Sequence, residues 1–322
     1  SKLTALDYTS KKFSISNDVF DAIGGDQLNL MVGNSGSNTV IGGVGVDFLM
    51  GGGVGSVATG GTDLLTGKAF TGILSAPQGA TLVTPISTLV ESLVSQGLAT
   101  DLFAATSQVQ TALGIPSTVN ALTFDPLASL SSTTDSTANK QAALSLLSVQ
   151  QQVATVIAQA STSISKGTTA VENNNASQAV VSALASAISN SVKSSTTTTP
   201  STPATPATPS TPTSPTTPTT PTTPAATFDL KNATSIQSAV TKAAEINKTT
   251  LTEDSLSSIA KVVSQSNTLL NIASQGATIS ESLTAMSKTA AVTQGNVVEQ
   301  LKAAVAPTST TGGTSSTSIS SA

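Results

Sequence analysis

The sequence contains no cysteine, histidine or tryptophan, and all thirteen of its basic residues are lysine. Without cysteine or histidine, a thiolate nucleophile, a Ser-His-Asp triad and the usual zinc and copper sites are excluded. Without arginine, and with a net charge of −4, the chain also lacks the planar fork that phosphate and nucleic-acid recognition prefer. We therefore expect no nucleic-acid partner.

Charged and aromatic residues are scarce, at 9% and 2% of 322 residues. This length allows two domains, but no apolar run approaches the ~18 residues that a membrane span needs, and we expect no membrane span. The opening stretch SKLTALDYTSKK has no basic segment followed by an apolar core, so we expect no cleavable signal within it. Threonine, serine, alanine, valine and leucine dominate, which is unusual for a cytosolic enzyme.

What the sequence does contain is a nine-residue repeat near its start. Glycine recurs at positions 24, 33, 42, 51 and 60. Residues 42–50, GGVGVDFLM, match every fixed position of a G-G-x-G-x-D-x-U-x repeat, and the two preceding nines have Asn38 and Asn29 where this one has Asp47. Such repeats predict a parallel β-roll, in which the glycines form turns and the large apolar residues point inward.

Calcium binding is predicted within this roll. One full turn takes two nines, so residues eighteen apart share a site: Asn29 with Asp47, and Asn38 with Ser56. Turn carbonyls, at Gly43 and Gly45 among others, complete an oxygen shell. Asp47 is the only carboxylate of these pairs, so we expect one or two weak sites, with a Kd of about 10⁻⁴ to 10⁻³ M. A metal-free roll, whose Asn and Ser side chains hydrogen-bond the turns, is an equally supported interpretation.

The nonapeptides resemble those of RTX-type secreted bacterial proteins. That resemblance implies repeats that fold when they meet calcium outside the cell. It also implies export through a one-step, type I system and a location at the bacterial cell surface.

The region after the repeat, residues 69–194, is predicted to be the first half of a helical domain. A short strand-like stretch at residues 70–74 comes before it. Apolar residues at helical spacing and N-terminal caps then predict five helices: one capped by Thr84 with Pro85 in its first turn and ending at Gly97, then Thr100–Leu113, one capped by Asp125, Thr137–Ser161 and Ala176–Val192.

The second half of the helical domain is predicted at residues 227–306. Capping boxes are predicted at Thr250 with Glu253, Thr278 with Glu281, and Asn296 with Glu299. The opening TFDL repeats the TFDP that begins at residue 123. Each half carries few large apolar residues, so we expect residues 82–194 and 228–306 to pack as one domain.

Proline-rich and serine-rich stretches separate and end these regions. Between residues 195 and 226, proline recurs at every third position from 200 to 224. This pattern predicts an extended polyproline spacer of about 75 Å without a single conformation. Residues 307–322 are predicted to be a flexible Ser/Thr-rich tail.

The fold class that these patterns predict is mostly α: a helical bundle-like domain, preceded by a short RTX-like parallel β-roll at residues 1–68 and interrupted by the disordered Thr-Pro spacer. The segments FTGILSAP, VTPISTLV, ALGIP and TFDP resemble a helical module of large bacterial surface and adhesin-like proteins. The resemblance carries no known active site.

Polar residues also occur within the predicted helices. Gln150, Gln151 and Gln152 are predicted to be solvated, because Val149 and Val153 already define a buried stripe; a polar device that sets helix register is the alternative. Glu91 and Asp101 are the only acids between residues 63 and 125. We expect them to serve solubility and helix ends rather than to form an acid/base pair.

Two functional classes remain open, and a third is weaker. The first is a non-catalytic, adhesin-like structural segment of a secreted bacterial surface or matrix protein, whose partner is an unidentified surface or matrix component. The second is a surface-layer or filament subunit that self-associates with calcium. The third, an enzyme such as a hydrolase joined to an RTX roll, needs a pocket with converging titratable groups. We expect no enzyme.

Overall fold

The computed structural model describes residues 72–165, 169–196 and 227–305, and the backbone of seven short strands between residues 20 and 69. Residues 197–226 of the predicted Thr-Pro spacer and the predicted C-terminal tail lie outside the described residues, whereas residues 195 and 196, predicted as the start of the spacer, are the last two of a helix. The described part is mostly helical, which confirms the mostly α fold class. No helix in it is both long enough and apolar enough to traverse a bilayer.

Short strands pair in parallel across the nonapeptide region. The pairs β1–β3 and β3–β5 belong to one sheet and β2–β4 forms another, each with an offset of eighteen residues. The glycine positions between these strands lie outside the described residues, so the β-roll stays a prediction. The strands are β1 (Phe20–Ile23), β2 (Asn29–Val32), β3 (Asn38–Ile41), β4 (Asp47–Met50), β5 (Ser56–Thr59), β6 (Thr62–Asp63) and β7 (Lys68–Ala69).

Strand β8 (Ile73–Ala76) connects the paired strands to the helices. It runs antiparallel to β5 and packs on α1 (Pro85–Ser95). The Ser75 amide donates to Thr88 Oγ1 at 2.9 Å, and the Ser87 hydroxyl donates to the Ser75 carbonyl at 2.8 Å. The strand begins three residues after the predicted start at residue 70, because its position is fixed by these hydrogen bonds to α1.

The first three helices follow their local signals. Thr84 caps α1 with Pro85 at its first position, and Asp125 caps α3 (Pro126–Ser131), as predicted. Helix α2 (Leu102–Leu113) begins two residues later than predicted, because Asp101 accepts the Ala104 amide at 2.8 Å. Gly114, with φ of 66°, ends α2 in the left-handed conformation that glycine adopts without steric cost.

Two long helices follow, both longer than the periodicity predicts. Helix α4 (Thr137–Ile164) is capped by Ser136. Helix α5 (Ala170–Thr196) begins six residues earlier than predicted. There Thr169 and Glu172 form a reciprocal capping pair, in which the Thr169 hydroxyl donates to Glu172 Oε2 at 2.6 Å and accepts the Glu172 amide at 3.3 Å.

The second helical segment contains α6 (Ala233–Ile246), α7 (Glu253–Ala273), α8 (Ile279–Ala291) and α9 (Val297–Val305). Five residues of π-helix, Val292–Asn296, join α8 to α9 and are called the π-turn below. The sequence patterns do not identify α6, which Asn232 caps. The capping box of Thr278 with Glu281 is confirmed.

The other two predicted capping boxes are wrong. Helix α7 is capped by Thr252 rather than Thr250, and its Glu253 carboxylate accepts a hydrogen bond from the Gln237 side chain of α6. Asn296 lies inside the π-turn, and the backbone remains helical into α9, so no N-terminus exists there to be capped. In the first case Glu253 bonds to a neighbouring helix, and in the second the helix continues through Asn296. The local sequence signal does not report either arrangement.

The two TFD sequences adopt related turns. Asp125 Oδ1 accepts the Leu127 amide and Asp229 Oδ1 accepts the Lys231 amide, each at 2.9 Å. The second turn is also tied to the first helical segment, because the Phe228 amide donates to the Ala112 carbonyl at 2.9 Å.

One hydrophobic core contains side chains from both helical segments. Helix α4 packs against α5 and α7, and α5 packs against α6. The fully buried residues of this core include Leu146, Ile157, Leu184, Ile236 and Val263. The two segments thus share one core, while the domain boundaries at residues 68, 194 and 226 stay predictions.

Candidate functional site

The residues predicted to bind calcium lie on two separate sheets. Backbone pairing places Asn29 beside Asp47 in β2–β4, and Asn38 beside Ser56 in β3–β5. Both pairs have the eighteen-residue offset that the sequence predicts. Gly43 and Gly45 lie outside the described residues. The pairing brings Asn29 and Asp47 together but assigns Asn38 to the other sheet.

The two acids of the first helices lie at different kinds of position. Asp101 caps α2, as predicted for an acid at a helix end. Glu91 lies on α1, where partial burial raises the pKa of its carboxyl group. Across the helical part that the structure describes, no three Asp or Glu side chains meet in a way that could hold a metal ion.

The most extensive buried polar arrangement that we find runs along α4. Gln151, Thr155 and Gln159 follow one another at one-turn intervals and are all buried. Residues four apart lie on the same face of an α-helix, so these three form a polar line along α4. We call this line, together with its partners Ser266, Thr293 and Gln294, the glutamine seam.

Hydrogen bonds join the seam to two other helical elements. The Gln159 amide donates to Ser266 Oγ of α7 at 2.9 Å and to the Thr293 carbonyl of the π-turn at 2.8 Å. The Gln294 amide donates to Gln151 Oε1 at 2.9 Å and to Thr155 Oγ1 at 3.3 Å. The seam thus fixes the position of the π-turn along α4.

The π-turn supplies the backbone acceptor of the seam. In it, the Val297 amide donates to the Val292 carbonyl five residues earlier, one residue more than in an α-helix. Such turns change which backbone groups are free for other partners. Here the Thr293 carbonyl accepts a hydrogen bond from the buried side-chain amide of Gln159.

The prediction that Gln150, Gln151 and Gln152 are solvated is wrong. Their exposed fractions are 6%, 7% and 4%. Helix α4 contacts α3, α5, α7 and α9, so its polar positions are covered as well as its apolar stripe. The periodicity of apolar residues identifies the buried face of a helix only when the opposite face is exposed to solvent.

Other buried polar residues of the second segment were missed. Asn267 of α7 is fully buried and donates from Nδ2 to the Leu230 carbonyl at 2.9 Å, so it anchors the turn before α6. Among the described residues, the Asn267 Oδ1 and Gln159 Oε1 atoms have no hydrogen-bond partner. The spacing of Gln151, Thr155 and Gln159 at i, i+4 and i+8 was the available sequence signal for the seam, and nothing comparable marked Asn267.

The chemistry of the seam is that of neutral amides, hydroxyls and a carbonyl. These groups exchange hydrogen bonds but do not titrate near neutral pH. The seam is therefore suited to fixing helix positions rather than to moving a proton. Buried hydrogen-bonded networks of this kind favour one packing arrangement over its alternatives.

Comparison with protein-family models, with curated proteins and with solved structures finds no match for this chain.

Proposed function

We propose that this chain is a non-catalytic structural segment of a secreted bacterial cell-surface or matrix protein, adhesin-like in role, with weak calcium binding in its glycine-rich nonapeptides. Its partner is a surface or matrix component, and it reaches the surface through a type I system. In this role the helical domain is a compact support, and the nonapeptides respond to the calcium that they meet outside the cell.

The observation that carries the proposal is the register of the strands. A roll with two nines per turn requires parallel pairing at an offset of eighteen, and Asn29 pairs with Asp47 at that offset. Asp47 supplies the single carboxylate, while calcium takes six to eight oxygen ligands, so the expected Kd is about 10⁻⁴ to 10⁻³ M.

Strand β8 adds a second line of support. It pairs with β5, the last strand of the β1–β3–β5 row, and it is hydrogen-bonded to α1 through Ser75. A stack of only a few repeats has a thin apolar core and is stabilised by a structural element that packs on its terminal repeat. In this proposal the helical domain covers the end of the row, and calcium supplies the remaining stability.

A calcium titration followed by circular dichroism tests the proposal. Calcium in the millimolar range is expected to increase the β signal of the full chain, and Asp47→Ala is expected to remove most of that increase. Ser56→Ala is the matched control, because Ser56 occupies the equivalent position without a charge, and it is expected to change little. An equal β signal in chelator and in calcium, unaffected by Asp47→Ala, would refute calcium binding.

A surface-layer or filament subunit is the second candidate. Leu269 and Ile272 of α7 lie three residues apart on the same helix face and are 51% and 61% exposed. Adjacent exposed apolar side chains favour contacts between copies. Electron microscopy of the purified chain with calcium separates the two candidates, because ordered arrays or filaments are expected only for the second.

A further inference from the structure

A groove lies on the surface of the helical domain between α5 and the C-terminal end of α6. Its volume is about 360 Å³. Asn175, Gln178 and Ser182 of α5 line one wall, and Ile246 and Lys248 at the end of α6 line the other. Ligand clefts in proteins start at about 300 Å³, so the groove is large enough for a small molecule.

Lys248 holds a backbone conformation that glycine normally fills. The Lys248 amide donates to the Glu245 carbonyl at 3.0 Å and the Thr249 amide to the Ala244 carbonyl at 2.8 Å. These two bonds form a Schellman motif, which places Lys248 in the left-handed region with φ of 54°. Glycine holds the left-handed positions after α1 and α2, at Gly97 and Gly114.

Lysine is less favourable than glycine at this position, because a residue with a Cβ atom is strained in the left-handed region. Among the described residues, Lys248 is the one non-glycine residue with positive φ. Strained backbone of this kind concentrates at binding sites, where the gain comes from the side chain that it presents. Here the residue so placed is an exposed lysine that lines the groove.

The end of α6 that carries Lys248 is held firmly. Asn247 donates from Nδ2 to the Ile164 carbonyl at 2.7 Å, and the Thr249 hydroxyl donates to the same carbonyl at 2.8 Å. The residues on either side of Lys248 are thus anchored to the last turn of α4. The groove wall is therefore preformed, which lowers the entropy cost of binding.

The charge of Lys248 has no acidic partner in the part of the chain that the structure describes. In the same helical segment, Lys231 pairs with Asp229 and Lys242 pairs with Glu245, each at 3.0 Å. Lys248 makes no ion pair within the described residues, and the residues that line the groove include no acid. A single ammonium group in a neutral groove favours a ligand with one negative charge.

The other groove residues indicate a hydroxylated ligand. Asn175 and Gln178 are exposed and Ser182 is half-buried, so their side-chain donors and acceptors can reach the hydroxyl groups of a ligand. Ile246 is 44% exposed and offers an apolar surface. A sugar ring has both features, with hydroxyls around its edge and C–H groups on its face.

We propose that this groove binds a carboxylated sugar, such as a uronic acid unit of an acidic polysaccharide, with Lys248 on the carboxylate and the α5 side chains on the hydroxyls. The polysaccharide as the source of this sugar rests on the proposed surface role, whereas the binding chemistry rests on the groove alone. The inference supplies a chemical class for the unidentified partner.

Nuclear magnetic resonance titration of the full chain with oligogalacturonate, in the presence of chelator, tests the proposal. Chelator removes calcium from the nonapeptides and prevents calcium bridging to the sugar. Shifts are expected at the groove amides. Lys248→Asn, which tolerates the left-handed conformation but has no charge, is expected to weaken binding about tenfold through loss of a charge-assisted hydrogen bond. Lys231→Asn, outside the groove, is expected to have no effect.

Three outcomes would overturn the sugar assignment. These are equal binding by the Lys248→Asn variant, equal binding of neutral oligogalactose, and displacement of the sugar by inorganic phosphate at the same concentration, which would indicate a plain anion site. Unchanged thermal unfolding of Lys248→Asn confirms that its fold is intact. Because calcium is absent here, a failure of this test and a failure of the calcium titration are separate results.

Discussion

Helices α4 and α7 lie side by side in the same core but bury their residues differently. Nearly every residue of α4 from Leu146 to Ile164 is buried. Helix α7 buries one stripe, which includes Leu256, Ile259, Val263 and Leu270, and leaves Leu269 and Ile272 exposed. Because α4 is enclosed by its neighbours, its polar residues lie inside the core, and several of them, such as Gln151 and Gln159, hydrogen-bond to other helical elements.

The largest expected effect comes from replacing a buried isoleucine of α4 with alanine. The same replacement at an exposed isoleucine of α7 is its control. Ile157 of α4 is fully buried, whereas Ile272 of α7 is 61% exposed. Ile157→Ala is expected to lower the free energy of unfolding by about 2–5 kcal/mol, because it leaves a cavity. Ile272→Ala is expected to change it by less than about 0.5 kcal/mol. Urea denaturation measures both, and similar losses would contradict the contrast between the helices.

The glutamine seam gives the next effect. Gln159→Leu removes the donor to Ser266 and to the Thr293 carbonyl, and is expected to cost about 1–3 kcal/mol because those groups remain buried. Amide exchange within Val292–Asn296 is expected to become faster as well. Gln265→Leu, at an exposed position of α7, is the matched control. Equal stability of the two variants would show that the seam contributes no net stability.

The cap of α7 gives a smaller effect. Thr252 Oγ1 accepts the Ser255 amide at 3.2 Å, so Thr252→Ala is expected to lower the free energy of unfolding by about 1 kcal/mol. Thr250 is exposed and caps no helix, so Thr250→Ala is expected to leave the denaturation midpoint unchanged. A larger loss of stability for Thr250→Ala than for Thr252→Ala would instead support the predicted capping box of Thr250 with Glu253.

The smallest expected effect is a change in pH dependence. Burial raises the pKa of Glu91 above its ordinary value of 4.5, so the folded state binds a proton more tightly than the unfolded state. Stability linked to Glu91 is therefore present below pH 4.5 and falls as the pH rises through the folded pKa. Glu91→Gln is expected to remove this decline, as measured by thermal unfolding between pH 4 and 7 in about half-unit steps.

Glu172 provides a control of the opposite sign. Hydrogen bonds from the Thr169 side chain and backbone lower the pKa of its carboxyl group. Stability linked to Glu172 is therefore present above pH 4.5 and falls as the pH decreases through the folded pKa. Glu172→Gln is expected to remove this decline, as measured by thermal unfolding extended below about pH 4, whereas Glu91→Gln removes a decline at higher pH; slope changes of the same sign would contradict these assignments.

Helix ends were predictable where the cap and the helix are neighbours in sequence. Thr84, Asp125 and Thr278 each cap the predicted helix, because the groups that they satisfy lie within three residues. The Thr250 cap was predicted by the same rule but is wrong, since Glu253 bonds to Gln237 of another helix. A capping signal is thus reliable only while its side chains have no better partner elsewhere.

The groove of the sugar-binding proposal could not be predicted from sequence. Asn175 lies on α5 and Lys248 just after the end of α6, and no periodicity relates them. The left-handed conformation of Lys248 carries no sequence signal either, because glycine is the residue expected there. The eighteen-residue pairing of Asn29 with Asp47 was predictable, because a fixed repeat length sets the register of neighbouring strands.

The sequence by itself determined the mostly helical fold class, most helix positions and the spacing of the nonapeptide strands, since these depend on capping, periodicity and repeat length over short distances. The tertiary structure decided which polar residues are buried, where the π-turn meets Gln159, and which side chains line the groove. Those features depend on helices that are distant in sequence, and the burial of a side chain is a property of its neighbours rather than of its own position in the pattern.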